Sequence, residues 1–190
     1  MDLPLIIGII TTLILSGFFS GMEIAFVSSN RMRAEIDKEK KSISTKFIDF
    51  FYRHPNGFVS TMLVGNNIVL VIYGILTAQL LDNTIFKGFD VGLRVTLDTI
   101  VSTILVIFVG EFIPKTIFKN NPNSKLSFFS LPAYLFYCLL WPISKFTTFL
   151  SKVVLKILGK KLEHTPDDGE FTKLDLDYLV QSSIDNAKGD

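Results

Sequence analysis

Three polar clusters interrupt long apolar runs in this chain, and each offers oxygen. Residues 110–115 read Gly-Glu-Phe-Ile-Pro-Lys. A charge at membrane depth costs roughly 2.5–3.5 kcal/mol on insertion scales, so Glu111 and Lys115 there mark an ion or substrate pathway by default. Pro114 has no N–H, so the helical bond to the carbonyl of Gly110 cannot form and that oxygen becomes available to another donor or to a cation. Residues 16–23 read Ser-Gly-Phe-Phe-Ser-Gly-Met-Glu. Ser16 and Ser20 are four apart and share a helix face, with Glu23 on the neighbouring edge. Residues 65–67 read Gly-Asn-Asn. On a helix Asn66 and Asn67 point about 100° apart. Lipid satisfies neither, so at least one must face protein or water. Hydroxyl, amide, carboxylate and carbonyl oxygens are hard ligands, suited to Mg²⁺, Ca²⁺ or Na⁺ rather than to thiol-loving metals.

Each cluster also has a plain structural reading. Gly17 and Gly21 form a small-xxx-small face that lets helices approach closely, and serines in such helices often bond back to the carbonyl four residues earlier. Glu23 can snorkel to the interface or pair with a basic loop. The asparagines can serve only to bond helix to helix. Glu111 and Lys115 are four apart in the favourable order for a self-neutralising ion pair. Against that last reading, Gly110 and Pro114 imply distorted backbone at the same level, which membranes tolerate where it is buried or lines a cavity.

The elements that must position these groups are legible from hydropathy. The chain has 190 residues, 48% hydrophobic and 19% charged, with a mean hydropathy of +0.42. That is too apolar for an ordinary soluble domain of this size. The predicted fold is an all-α membrane protein with three transmembrane helices, about 3–27, 58–81 and 95–118, each long enough to cross about 30 Å of hydrocarbon. The first run lacks a basic leader and a small-residue cleavage site, so it is expected to be retained. Residues 31–53 carry Arg31, Arg33, Lys38, Lys40, Lys41, Lys46 and Arg53, which places that loop in the cytoplasm and the N-terminus outside. Within it Met32, Ile36, Ile43, Phe47, Phe50 and Phe51 suggest an amphipathic surface helix.

Residues 126–142 are uncharged and could be a fourth span. Pro132 and Pro142 are expected to interrupt them. The lysines that follow, Lys145, Lys152, Lys156, Lys160 and Lys161, would sit outside if the run crossed. A cytoplasmic-side juxtamembrane belt over about 126–158 is therefore preferred. From 161 to 190 the chain turns acidic, with one short helix capped by Thr172, and reads as a cytosolic linker.

Several function classes drop out. The net charge is +1, so no global field favours nucleic acid. Cys138 is the one cysteine and cannot form an internal disulfide. His54 and His164 lie far apart in polar segments. No nucleophile–base pair, glycine-rich phosphate loop or Cys/His cluster is visible, so the chain does not read as an enzyme.

Taken together, Ser16–Gly21, Glu23-Ile24-Ala25-Phe26, Asn30-Arg31 with Arg33, His54-Pro55, Gly65-Asn66-Asn67 and Gly110–Lys115 resemble the transmembrane domain of the cyclin M / CorC family of magnesium transport proteins. The resemblance covers roughly residues 1–160. It implies a homodimer in the cell (inner) membrane, with an inward-opening acidic cavity and Mg²⁺ carried through an intramembrane site, export being coupled to Na⁺ entry. On matching positions the implied ligands are Ser16, Ser20, Asn66 or Asn67, and carbonyls near Gly17 and Gly110. Glu111 and Glu23 would supply cavity charge, Pro114 would keep the third helix broken, and Lys115 would pair with Glu111 or gate. The family usually continues into cytosolic CBS-pair domains that bind adenine nucleotide. These are expected C-terminal to residue 190, so no ATP site is assigned to this piece. The competing expectation is a cation-sensing membrane anchor that regulates a partner without moving ions itself.

Overall fold

The computed structural model describes residues 3–30, 42–84 and 88–157. Among these every regular element is helical: α1 (Leu3–Ser28), α2 (Ile43–Arg53), α3 (Pro55–Asn83), α4 (Val91–Leu105), a π-helical turn (Val106–Phe112), α5 (Ile113–Lys119), α6 (Pro122–Phe128) and α7 (Ser130–Ile157). Three stretches are long and apolar enough to cross a membrane: Leu3–Ser28, Pro55–Leu81 and Val91–Lys119. Each covers its expected span and extends it by a few residues at one or both ends. The basic residues 31–41 and the acidic tail, on which the expected Thr172-capped helix falls, lie outside the described residues.

Capping chemistry explains where the helices start. Pro55 opens α3 in its first turn, where a missing N–H costs nothing. His54 serves the junction: its backbone N–H closes α2 on Phe50 and Phe51, and its ring lies 4.7 Å from that of Phe50. Asp90 caps α4 by accepting from the N–H of Gly92. Asn121 turns the chain in the left-handed region, φ 61°, just before Pro122 opens α6.

The core gathers at the end of the bundle where α2 and α7 meet α1 and α3. Phe26, Phe51 and Phe58 are buried there, with Phe51 and Phe58 at 4.3 Å and Phe26 and Phe58 at 4.8 Å between ring centres. Phe47 of α2 stacks on Tyr134 of α7 at 4.6 Å. Each such pair adds about 0.5–1.5 kcal/mol beyond the area it buries. The part of the expected amphipathic helix that falls in the described residues is present over Ile43–Arg53, with Ile48 and Phe51 buried and Arg53 paired to Asp49 on its outer face at 2.9 Å; Met32 and Ile36 lie outside the described residues.

Two expectations about proline need correcting. Neither Pro132 nor Pro142 interrupts its run: α7 is continuous from Ser130 to Ile157 with Pro142 inside it. Pro132 falls in the first turn, whose N–H groups have no helical partner anyway. The break comes earlier, at Phe129, where α6 and α7 meet at 66°. By length and apolarity Pro122–Phe128 with Ser130–Ile143 also qualifies as one bent or re-entrant span.

Candidate oxygen-lined site between the three spans

Close approach of the spans comes first, because it sets which oxygens can meet. A Cβ on Gly17 would lie 2.8 Å from the Pro114 ring, and one on Gly21 would lie 2.5 Å from the ring of Phe118. The glycine pair therefore seats α1 against α5, the packing use anticipated for it. Gly65 does the same for α3, where a Cβ would meet the Phe19 ring at 2.6 Å.

In this setting Ser16 is fully buried and does not bond back along its own helix. Its hydroxyl lies 2.8 Å from Oδ1 of Asn66 and 3.4 Å from the carbonyl oxygen of Gly110. Threonines elsewhere in the spans take the local alternative: Thr12, Thr61 and Thr77 each donate to the carbonyl four residues earlier. One hydroxyl has one proton to give, so Ser16 serves Asn66 at short range and Gly110 only at the limit. Three oxygens from three different spans thus meet at one point.

Gly110 lies within the π-helical turn, and Ile113 at its end donates five residues back, to Phe108. The cause is Pro114. It cannot donate to Gly110, and its ring would clash with that carbonyl in a regular α-turn. The wider turn relieves the clash. The third helix is therefore not broken at Pro114, as the resemblance implied, but runs on through a π segment, a feature often found at functional sites.

Ser20, one turn along α1, is fully buried, and its hydroxyl has no hydrogen-bond partner among the described residues. An orphaned buried hydroxyl costs about 1–3 kcal/mol. A ligand oxygen, a water or a cation would remove that cost.

The remaining expected residues divide. Asn66 is buried at the site, whereas Asn67, about 100° further round α3, is uncovered. Glu111, Pro114, Lys115 and Glu23 are half-buried. No ion pair joins Glu111 to Lys115 among the described residues: the favourable spacing assumed a regular α-helix, and the π turn ends between them. Gly17 contributes contact, its Cβ position lying 4.0 Å from the Gly110 carbonyl. Among the described residues no three His, Cys, Asp or Glu side chains gather into a metal cluster, so the donors at this point are neutral oxygens.

One participant was missed in the sequence. The Tyr73 hydroxyl is buried and donates to the carbonyl of Ser102 at 3.0 Å, tying α3 to α4 above the π turn. The signal was available: Tyr73 lies seven residues beyond Asn66, two turns along the same face.

The fold and site together define a polytopic membrane domain with an oxygen-lined point between its spans. The chain matches the cyclin M transmembrane N-terminal domain family over residues 7–188, and it belongs to that family. It is 30% identical over 152 residues to the UPF0053 protein MG146 of Mycoplasma genitalium, covering 78% of this chain and 35% of that protein. It is 27% identical over 178 residues to the UPF0053 inner membrane protein YfjD of Escherichia coli, covering 89% of this chain and 38% of that protein. A Haemophilus influenzae UPF0053 protein is 30% identical over 164 residues, 84% of this chain and 37% of its own length. The chain thus spans little more than a third of these relatives.

Proposed function

We propose that this domain carries Mg²⁺ across the membrane as cargo, exporting it against Na⁺ entry, and that it works as a homodimer. The observation that carries the reading is the meeting of Ser16 Oγ, Asn66 Oδ1 and the Gly110 carbonyl from three spans, with the orphaned Ser20 hydroxyl a turn away. Mg²⁺ demands hard oxygen and usually keeps several of its waters, so a few neutral protein oxygens suffice. Neutral donors also keep binding weak enough for release, which conduction requires. The half-buried carboxylates of Glu23 and Glu111 supply attraction without direct ligation, and Lys115 moderates it.

Orientation follows from charge. Basic residues 31–53 and the lysines after residue 115 put those segments in the cytoplasm and the N-terminus outside. The belt at 126–158 then lies along the cytoplasmic interface, and residues 161–190 lead toward CBS-pair domains. The name of the Escherichia coli relative, an inner membrane protein, supports an inner-membrane location and says nothing of orientation.

The test is flux. Purified protein in liposomes holding a Mg²⁺-sensitive dye should move Mg²⁺ saturably, and an opposing Na⁺ gradient should accelerate it. Mg²⁺-dependent thermal protection with no flux would instead support a cation-sensing anchor. Neither effect would leave the polar residues as packing alone.

A further inference from the structure

An apolar groove lies behind the oxygen site. Its cavity is about 650 Å³, within the range of small-molecule sites. Ile10, Ile14 and Phe18 of α1 form one wall, Val109 and Ile117 of the third span the other, and Phe136 of α7 closes the back. The walls are elongated: Ile10 to Phe18 covers about 12 Å along the helix axis. The long axis therefore runs with the spans, which suits an extended hydrocarbon chain rather than a compact solute. Ile14 and Ile117 are uncovered by any other part of the described chain.

Two lysines lie in the turns next to one end of the groove. Phe118 and Phe129 line that end and stack at 5.3 Å. Lys119 follows Phe118 directly, and Lys125 accepts the backbone N–H of Phe129 on its carbonyl. The stacked rings thus hold two lysine-bearing turns at one level, the last turns of α5 and α6. A hydrocarbon slot with two lysine-bearing turns at one end complements an anionic headgroup carrying an acyl tail.

We propose that this groove binds an anionic phospholipid, one acyl chain lying between α1, the third span and α7, with its phosphate near Lys119 and Lys125. A second copy of the chain has a better surface elsewhere: Ile100, Ile104, Phe108 and Phe112 form an uncovered stripe on the third span, convex where the groove is concave. The groove's inner wall includes Gly17 and Pro114, so a seated chain packs against the contact that supports the Gly110 turn. The proposal does not depend on the identity of the cargo.

Native mass spectrometry tests it on the purified protein, offered phosphatidylglycerol or phosphatidylcholine with matched acyl chains. The wild type should retain phosphatidylglycerol about tenfold better, the preference expected of two lysines beside an anionic group. Ile14→Trp with Ile117→Trp should fill the slot and remove retention of both lipids. Lys119→Gln with Lys125→Gln should keep retention but erase the preference. Equal retention of the two lipids by the wild type would overturn the proposal, as would retention untouched by the two tryptophans. So would tryptophans that turn a dimer into a monomer in light scattering while lipid retention stays the same, because the groove would then be covered by a second copy.

Discussion

Asn66 and Asn67 carry the same side chain one residue apart, and only the first reaches the site. Asn66 Oδ1 lies 2.8 Å from the Ser16 hydroxyl, while Asn67 is uncovered. Asn66→Ala should strip one oxygen from the site and leave Ser16 short of a buried partner, a loss of about 1–3 kcal/mol. Mg²⁺ affinity measured by calorimetry or thermal protection should then fall about tenfold or more. Asn67→Ala should leave it within about twofold, the usual scale of a surface change. Equal losses in both would break the assignment of Asn66. Ser20 belongs to the same scale. Its hydroxyl lacks a partner among the described residues, a fact invisible to spacing, which showed only that it shares a face with Ser16.

At the scale of elements, the contact of α1 with α5 and the π turn act together. Gly17→Ala would drive a methyl carbon to 2.8 Å from the rigid Pro114 ring, an overpacking that costs typically about 1–3 kcal/mol. Gly74 on α3 has no atom of the described residues within 4 Å of where a Cβ would sit. There an alanine should stabilise by about 0.5–1 kcal/mol through helix propensity. Thermal unfolding of the two variants should therefore shift in opposite directions. Pro114→Ala restores an N–H four residues after Gly110. The turn should relax toward α-helix and the new N–H should compete for the Gly110 carbonyl, lowering Mg²⁺ affinity. Unchanged affinity would mean that this oxygen is not a ligand. The distortion itself was legible from Gly110 and Pro114. Its form, a widened turn inside a continuous helix, depends on how closely Gly17 lets α1 approach, and that is a property of two elements.

For the whole molecule, coverage is uneven. Only 6% of an 18-residue apolar stretch of the third span is buried by the chain itself, against 33% of one in the second. So bare a helix needs lipid or a second subunit, which agrees with the proposed homodimer. The path of α6 and α7 decides the topology, and two uncovered positions report on it. In a Cys138→Ser background, Ile43→Cys before the second span and Ile157→Cys at the end of α7 should react with a membrane-impermeant maleimide from the same side if α7 forms a belt. Labelling from opposite sides would make α6 and α7 a fourth crossing.

Hydropathy alone determined the three spans, because apolar runs of about 20 residues with few charges have few physical solutions in water and one common solution in lipid. Residue chemistry alone determined that any bound ion would meet hard oxygen. The tertiary structure decided which oxygens meet. Sequence spacing places Ser16, Asn66 and Gly110 each on some face of its own helix, but says nothing of how one helix is rotated against another. That rotation is set by contacts distant in sequence, Gly17 on Pro114, Gly21 on Phe118 and Phe19 on Gly65. The same contacts select Asn66 over Asn67 and turn the Ser16 hydroxyl across the bundle. The break at Phe129, and the helix that continues through Pro142, likewise rest on packing, with Phe118 stacked on Phe129 and Phe19 against Phe136. Proline supplies only a local penalty, and the surrounding contacts determine where the chain bends.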